Sequence, residues 1–323
     1  MAVFAFVEVV DYVKMSYTVN IKGRLLELDA PLVMGILNAT PDSFHSASRV
    51  TGEEFVVRAK QMVADGAAIL DVGACSTRPG SEPVSQQEEL KRLHSVLSLL
   101  DKELPDAVVS VDTFRGEVAR EVVREHNVAI INDVSAFEWD DDMLQAVAEL
   151  NIPYVLTHSV GFAGNEVAYD DFLPQVLQRL ASKMWQLRQL GVKDVIVDPG
   201  FGFGKSLEQN YTMLDNLREF AMLDAPLLVG VSRKSMITKL LGVSAAEALP
   251  GTIALGMAAL MGGAHILRVH DVKEAADTVK LYMAMKGAVH VAPKLAESKQ
   301  CSPAVSSSVY RGGGPLAVEE FKE

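Results

Sequence analysis

Asp112, Asn132, Asp198 and Lys234 each close or follow a short apolar run. Their settings are Ser110-Val111-Asp112-Thr113, Ile131-Asn132-Asp133, the glycine-rich 198–205 stretch Asp-Pro-Gly-Phe-Gly-Phe-Gly-Lys, and Ser232-Arg233-Lys234-Ser235. Carboxylates and an amide gathered in one cavity are costly unless a ligand satisfies them. A flat heterocycle with several N–H donors and a carbonyl acceptor fits that inventory. Singly, each residue has a plainer reading, as a structural ion pair (Asp112 with Lys234, for instance) or as a cap for the next helix. Four together at one end of a fold favour a ligand.

A second group surrounds the first. Arg268 and His270 lie two residues apart, so on a strand they point the same way. With Asn38, Ser76 and Thr77 they make a station for a phosphate and a divalent cation. The plainer reading pairs Arg268 with a structural carboxylate and gives His270 to a helix cap. His158, after Thr157, reads as a packed or capping histidine. Gly202 and Gly204 let backbone approach a ligand, so Phe203 reads as a binding wall and Phe201 as a staple beneath the loop. Thr40-Pro41-Asp42 and Arg78-Pro79-Gly80 fall in long loops whose tips would lid a cavity.

Positioning all of these at one face requires a particular architecture. Apolar runs of strand length occur at 32–37, 68–72, 108–111, 128–131, 153–156, 195–197, 227–229 and 266–269. Between them, apolar residues recur at helical spacing, as in Leu90-Leu93-Val96-Leu97-Leu100 and Phe172-Val176-Leu177-Leu180-Met184. Continuous apolar strands alternating with amphipathic helices mean a buried parallel sheet, and eight such units predict an α/β fold, a (β/α)8 TIM barrel. A doubly wound open sheet would be favoured by G-x-G-x-x-G after the first strand, and none is there. In a barrel the strand ends share one face, which is where the polar clusters fall.

Residues 15–30 read as an N-terminal β-hairpin with a Lys22-Gly23 turn, placed to plug the bottom of the barrel. Residues 15–290 are expected to form a single barrel domain, with 1–14 an N-terminal extension (Met15 being an alternative start) and 291–323 a flexible tail. Methionines and alanines at 253–261 suit either core packing, the default for one helix, or a subunit interface.

Composition removes other classes. Of 323 residues, 49% are hydrophobic and 22% charged, enough for one large core. The net charge of −12 argues against a general nucleic-acid binder. The two cysteines, Cys75 and Cys301, have no CxxC spacing and support neither a disulfide framework nor a zinc site, so a reducing cytoplasm is expected. The apolar start is broken by Glu8 and Asp11 and lacks a basic n-region, unlike a signal peptide.

Five motifs in order carry a resemblance: Asn38-Ala39-Thr40-Pro41-Asp42-Ser43-Phe44, Ser76-Thr77-Arg78-Pro79-Gly80, Ser110-Val111-Asp112-Thr113, the 198–205 glycine-rich stretch, and Ser232-Arg233-Lys234-Ser235, closed by Arg268-x-His270. From about Tyr17 to Gly287 the chain resembles dihydropteroate synthases. The resemblance implies condensation of 6-hydroxymethyl-7,8-dihydropterin diphosphate with p-aminobenzoate, with Mg2+, in a homodimer. It implies that Asp112, Asn132, Asp198 and Lys234 hold the pterin, and that Asn38 contacts Mg2+. Arg268 and His270, with Asn38, Ser76 and Thr77, would hold the diphosphate. Thr77, Arg78, Pro79, Phe203, Ser235 and Phe44 would surround p-aminobenzoate, while Asp42 and Phe44 ride the first loop as it closes. Asp112, Lys234, Arg268, His270 and Asp42 are the expected catalytic residues.

Three positions depart from the family's commoner pattern: Cys75 where Glu is frequent, His45-Ser46-Ala47-Ser48-Arg49 in the first loop, and Thr157 where Met is frequent. Two alternatives share part of the pattern. A methyltetrahydrofolate–corrinoid methyltransferase would keep the Asp and Asn contacts but not need the diphosphate station. A catalytically silent pterin-binding or partner-binding homologue would not need Asn38, Asp112, Lys234, Arg268 and His270 together.

Overall fold

The computed structural model describes residues 16–39, 50–75, 84–159 and 172–287. Asp42, Phe44, Ser76, Thr77, Arg78 and Pro79 therefore lie outside the described residues, as do the first-loop departures, the 1–14 extension and the 291–323 tail.

The described chain opens with a hairpin, β1 (Thr18–Ile21) antiparallel to β2 (Arg24–Glu27). Strands and helices then alternate: β3 (Leu32–Asn38), α1 (Val50–Ala64), β4 (Ile69–Gly73), α2 (Gln86–Glu103), β5 (Val108–Asp112), α3 (Gly116–Glu125), β6 (Val128–Asp133), α4 (Met143–Leu150) and β7 (Tyr154–Thr157). There follow α5 (Phe172–Gln189), β8 (Val195–Asp198), α6 (Leu207–Asp215), a 3-10 turn at Leu217–Leu223, β9 (Leu228–Val229), α7 (Ser235–Leu241), α8 (Leu249–Met261), β10 (Ile266–Val269) and α9 (Val272–Met285). β3 to β10 form one parallel eight-stranded sheet. Its ends meet through a bridge between Val197 and Leu227, backed by Val197 N–H donating to Pro226 O at 2.8 Å, so the sheet closes into a barrel.

Local signals explain several boundaries. Ser85 caps α2 by accepting from the Glu88 amide at 3.2 Å. Ser206 and Gln209 form a reciprocal capping box that starts α6. Most strands run one or two residues past the apolar runs, into Asn38, Gly73, Asp112, Asp133, Thr157 and Asp198. The ladder thus includes the polar residue at the strand end, which fixes its backbone more rigidly than a loop would.

The core has two parts. Outward-facing strand residues pack with the helices in a large cluster that includes Leu70, Val111, Ile131, Leu156, Val197 and Val269. Inward-facing residues form a smaller one: Leu32, Met34, Ile69, Val108, Ala129, Ile130, Val155, Ile196, Leu228 and Ile266, joined by Val19, Ile21 and Leu28. The hairpin region therefore stoppers the lower end of the barrel with apolar side chains, as its sequence predicts.

Alternation along the strands then dictates what lies above this floor. Two residues beyond Ile69, Val108, Ile130, Val155, Ile196 and Ile266 stand Asp71, Ser110, Asn132, Thr157, Asp198 and Arg268. Two further along, at the rim, stand Gly73, Asp112 and His270, with Asn38 two beyond Ile36. β6 carries one extra residue where the register shifts, between Val109↔Val128 and Ser110↔Ile130. Both Ala129 and Ile130 consequently reach the interior cluster, and the phase beyond the bulge turns Asn132 inward.

Candidate active site

Arg268 organises the polar layer. Its Nε donates to Asp71 Oδ2 and its Nη2 to Asp112 Oδ2, each at 2.7 Å. Asn132 Nδ2 donates to the same Asp71 Oδ2 at 3.0 Å. Four strands are tied together here: β4, β5, β6 and β10. Burial works against the Arg268 charge, but Asp71 and Asp112 outweigh it and raise its pKa. One guanidinium cannot fully offset two buried carboxylates. Burial accordingly pushes Asp112 up to about 7, with Arg268 pulling it down and Asp71 adding to the rise.

The opposite wall carries the second charge pair. Asp198 Oδ1 accepts from the Gly200 amide at 2.7 Å, and burial raises this carboxyl against the pull of Lys234. Lys234 is the N-cap residue of α7 and not part of a strand. Its Nζ donates to Phe201 O at 2.5 Å and sits 4.7 Å from the centre of the Phe203 ring. Burial lowers its pKa to about 8, with Asp198 opposing. A Cβ on Gly230 would stand in ordinary contact with Lys234 Nζ at 3.8 Å and Arg268 Cβ at 3.7 Å, which places this backbone between the two residues.

The glycine-rich loop is held by Lys205. Its ammonium donates to His158 O at 2.9 Å, Gly200 O at 2.7 Å and Phe203 O at 3.3 Å, an ammonium's full complement of donors. Burial brings Lys205 down to about 7. Gly200 is required, because at φ +73° a Cβ would lie 1.8 Å from His158 O. Phe201 is fully buried and Phe203 half-buried, as staple and wall respectively. Burial lowers His158 to about 2, which keeps it neutral, in line with its reading as a packed histidine.

The rim holds Asn38, exposed at the end of β3, and His270, whose Nδ1 lies 3.0 Å from Ser232 Oγ. Ser235 is exposed at the first turn of α7. Arg233 is drawn aside into a two-pronged pair with Asp271, at 2.9 and 2.6 Å.

The structure thus brings Asp112, Asn132, Asp198, Lys234 and Arg268 to one end of the barrel, with Asn38, His270, Phe203 and Ser235 around it. It corrects one pairing. Asp112 takes Arg268 as its partner, not Lys234. Arg268 is engaged by carboxylates, as the plainer reading had it, so an anion arriving at the rim meets a guanidinium already shared. Asp71 was missed by sequence reasoning, although a lone charge within Ile69-Leu70-Asp71-Val72 was its signal. Also missed were the contacts at Ala74 and Val84, on either side of residues 76–83. Arg92 donates to Ala74 O at 3.3 Å on one side, and Arg115 to Val84 O at 2.7 Å on the other. Arg115 is itself held by the buried Glu89, which also accepts from Thr113 at 2.7 Å. Burial raises the Cys75 thiol pKa, so this cysteine has no thiolate character to use.

The chain matches the family described as pterin binding enzyme over residues 34–270. It is 41% identical to the dihydropteroate synthase of Escherichia coli strain K12 over 266 residues, spanning 80% of this chain and 93% of that protein. The Bacillus subtilis strain 168 dihydropteroate synthase is 40% identical over 264 residues, 80% of this chain and 90% of that one. Among solved structures, Yersinia pestis dihydropteroate synthase with a sulfonamide drug complex superposes at a TM-score of 0.78 and 36% identity, covering 84% of this chain and 100% of that chain. The Xanthomonas albilineans dihydropteroate synthase with 4-aminobenzoic acid gives a TM-score of 0.78 and 37% identity, covering 85% and 100%. The match spans β3 to His270, the stretch that carries every described residue of the polar layer, and the chain belongs to the dihydropteroate synthase family of pterin-binding enzymes.

Proposed function

We propose that the protein joins 6-hydroxymethyl-7,8-dihydropterin diphosphate to p-aminobenzoate, releasing pyrophosphate and giving 7,8-dihydropteroate. The observation that carries this reading is the polar layer itself. Asp71, Asp112, Asn132 and Asp198 face Arg268 and Lys234 above a sealed apolar floor, an inventory suited to a hydrogen-bonding heterocycle.

Asp112, Asn132, Asp198 and Lys234 would hold the pterin. Arg268 and His270 at the rim, with Asn38, Ser76 and Thr77, would hold the diphosphate. Thr77, Arg78, Pro79, Phe203, Ser235 and Phe44 would surround the arylamine, and Asp42 would act from the closing first loop. The bond that breaks joins a ring-bound CH2 to the diphosphate, so charge separates. Arg268, His270 and Lys234 favour the departing anion, while Asp112 and Asp198 favour the cationic pterin left behind. An arylamine is neutral at pH 7, so positioning it against the carbon is the main task.

Mg2+ fits the rim. A Cβ on Gly73 would lie 3.6 Å from Asn38 Oδ1 and 3.9 Å from Asp112 Cγ, so oxygen donors border a spot that glycine leaves open. Among the described residues no group of three His, Cys, Asp or Glu forms a dedicated cage. Mg2+ keeps most of its waters and takes one or two protein oxygens plus substrate phosphate. Asn38 would hold the ion, which when bound neutralises charge on the leaving diphosphate.

We also propose a cytoplasmic homodimer in which 15–290 form the single domain. Ile253 and Met261 on α8, with Leu281 and Met285 on α9, are exposed apolar side chains on neighbouring helices and support a covered surface. Thr252, Gly256, Ala259 and Leu260 of α8 face the core instead, so that helix serves both roles. Among the described residues, no helix is long and apolar enough to cross a membrane.

Calorimetric titration with the pterin diphosphate tests the assignment. Wild type should bind, and Asp198→Asn and Lys234→Ala should each bind at least about tenfold more weakly, the scale of a lost charged hydrogen bond. Unaltered binding in both variants would move the pterin elsewhere.

A further inference from the structure

Three side-chain oxygens on the inner wall of the barrel are buried without a hydrogen-bond partner among the described residues: Asp71 Oδ1, Ser110 Oγ and Thr157 Oγ1. Native folds rarely leave such atoms unpaired, so each one marks a place where a ligand or bound water completes the structure. Asp71 and Ser110 are register partners on β4 and β5, so a single water between them would serve both. Thr157 has a different setting.

It closes β7, two residues beyond Val155 of the apolar floor, and is 1% exposed. Its register partner on β8 is Asp198, whose Oδ1 is already committed to the Gly200 amide. On the other side, Asn132 of β6 is in register with Val155, one step below on the same face. The hydroxyl therefore lies in the wall between Asn132 and Asp198, two of the residues assigned to the heterocycle. Valine has the same branched shape without the hydroxyl, and on a strand whose other residues are Tyr154, Val155 and Leu156 it would strand no hydrogen-bond partner among the described residues. Among the described residues the hydroxyl has no hydrogen-bond partner, so no protein contact requires it.

We propose that Thr157 is a specificity-determining residue, its hydroxyl pairing with a heteroatom on the pterin edge that lies between Asn132 and Asp198. The inference rests on the pterin-binding reading above and deepens it. A ring presenting N or O at that edge completes the hydroxyl, whereas one presenting C–H leaves it buried and unpaired, which is how a polar site rejects near-isosteres.

The test compares wild type, Thr157→Val and Thr157→Ser, using calorimetry with 6-hydroxymethylpterin as an unreactive probe and thermal melting of each ligand-free protein. Thr157→Val is expected to bind about 5- to 20-fold more weakly, the range for one lost hydrogen bond. Its ligand-free melting temperature should be unchanged or raised, because an unpaired buried hydroxyl has been removed. Thr157→Ser should retain wild-type affinity within about threefold. Equal affinity in Thr157→Val overturns the proposal, and so does weaker binding accompanied by a lowered melting temperature, which would make the hydroxyl structural. Failure of the wild type to bind the probe would sink the pterin reading itself, a result distinct from either.

Discussion

Arg268 bonds to two carboxylates that stand close together on the adjacent strands β4 and β5. Asp71 is fully buried and the Asp112 side chain is 13% exposed. Removing the guanidinium strands both, so Arg268→Met is expected to lose about 3–5 kcal/mol of stability in urea unfolding, beyond any effect on turnover. The titration of the site follows from the same crowding. Burial places Asp112 at about 7 and Lys234 at about 8. As pH falls through 7 the Asp112 acceptor is protonated, and as pH rises through 8 Lys234 loses its charge. A profile of kcat/KM for the pterin diphosphate should therefore be a narrow bell with limbs near those values, reporting the free enzyme. A flat profile from pH 6 to 9 would contradict the assignment of both groups. At this scale the sequence was readable where a polar residue ends an apolar run, as at Asp112, Asn132 and Asp198. Asp71 stood out only as a lone charge inside an apolar run, and its pairing with Arg268 was not readable because the two stand 197 residues apart.

The elements divide the labour between floor and loops. Ile21 of the β1–β2 hairpin is part of the interior cluster, whereas Leu25 of the same hairpin is 66% exposed. Ile21→Ala is expected to lower unfolding free energy by about 2–4 kcal/mol, and Leu25→Ala by no more than about 0.5 kcal/mol. Equal effects would mean that the hairpin does not seal the barrel. The glycine-rich loop depends in turn on Lys205, whose three carbonyl contacts place Phe201 O and the Phe203 ring against Lys234. Lys205→Met should lower kcat/KM for p-aminobenzoate roughly ten- to hundredfold, as small displacements of positioning groups do, while the purified protein stays folded by circular dichroism. Helices and strands were legible from period and length. The strand ends were not, because the inter-strand ladder carries on through polar residues that interrupt the apolar pattern. The β6 bulge left no mark either, since Val128, Ala129, Ile130 and Ile131 are all apolar.

Over the whole molecule, eight parallel strands closed by the Val197–Leu227 bridge bring residues from β3 to the end of β10 to one face. The barrel class could be read from eight alternating units, including the 227–229 run, but the closing contact joins Leu227, just before the two-residue β9, to Val197, and no local pattern announces that pairing. The exposed apolar residues of α8 and α9 give the proposed dimer a check. Ile253→Glu combined with Leu281→Glu should shift the protein from dimer to monomer in light scattering, and a monomeric wild type would dismiss the dimer. The central claim is tested most directly by product identification. Wild-type protein given the pterin diphosphate, p-aminobenzoate and Mg2+ should yield 7,8-dihydropteroate and pyrophosphate in equal amounts by mass spectrometry and phosphate assay. Tight pterin binding with no dihydropteroate formed, under conditions where both substrates saturate, would contradict it.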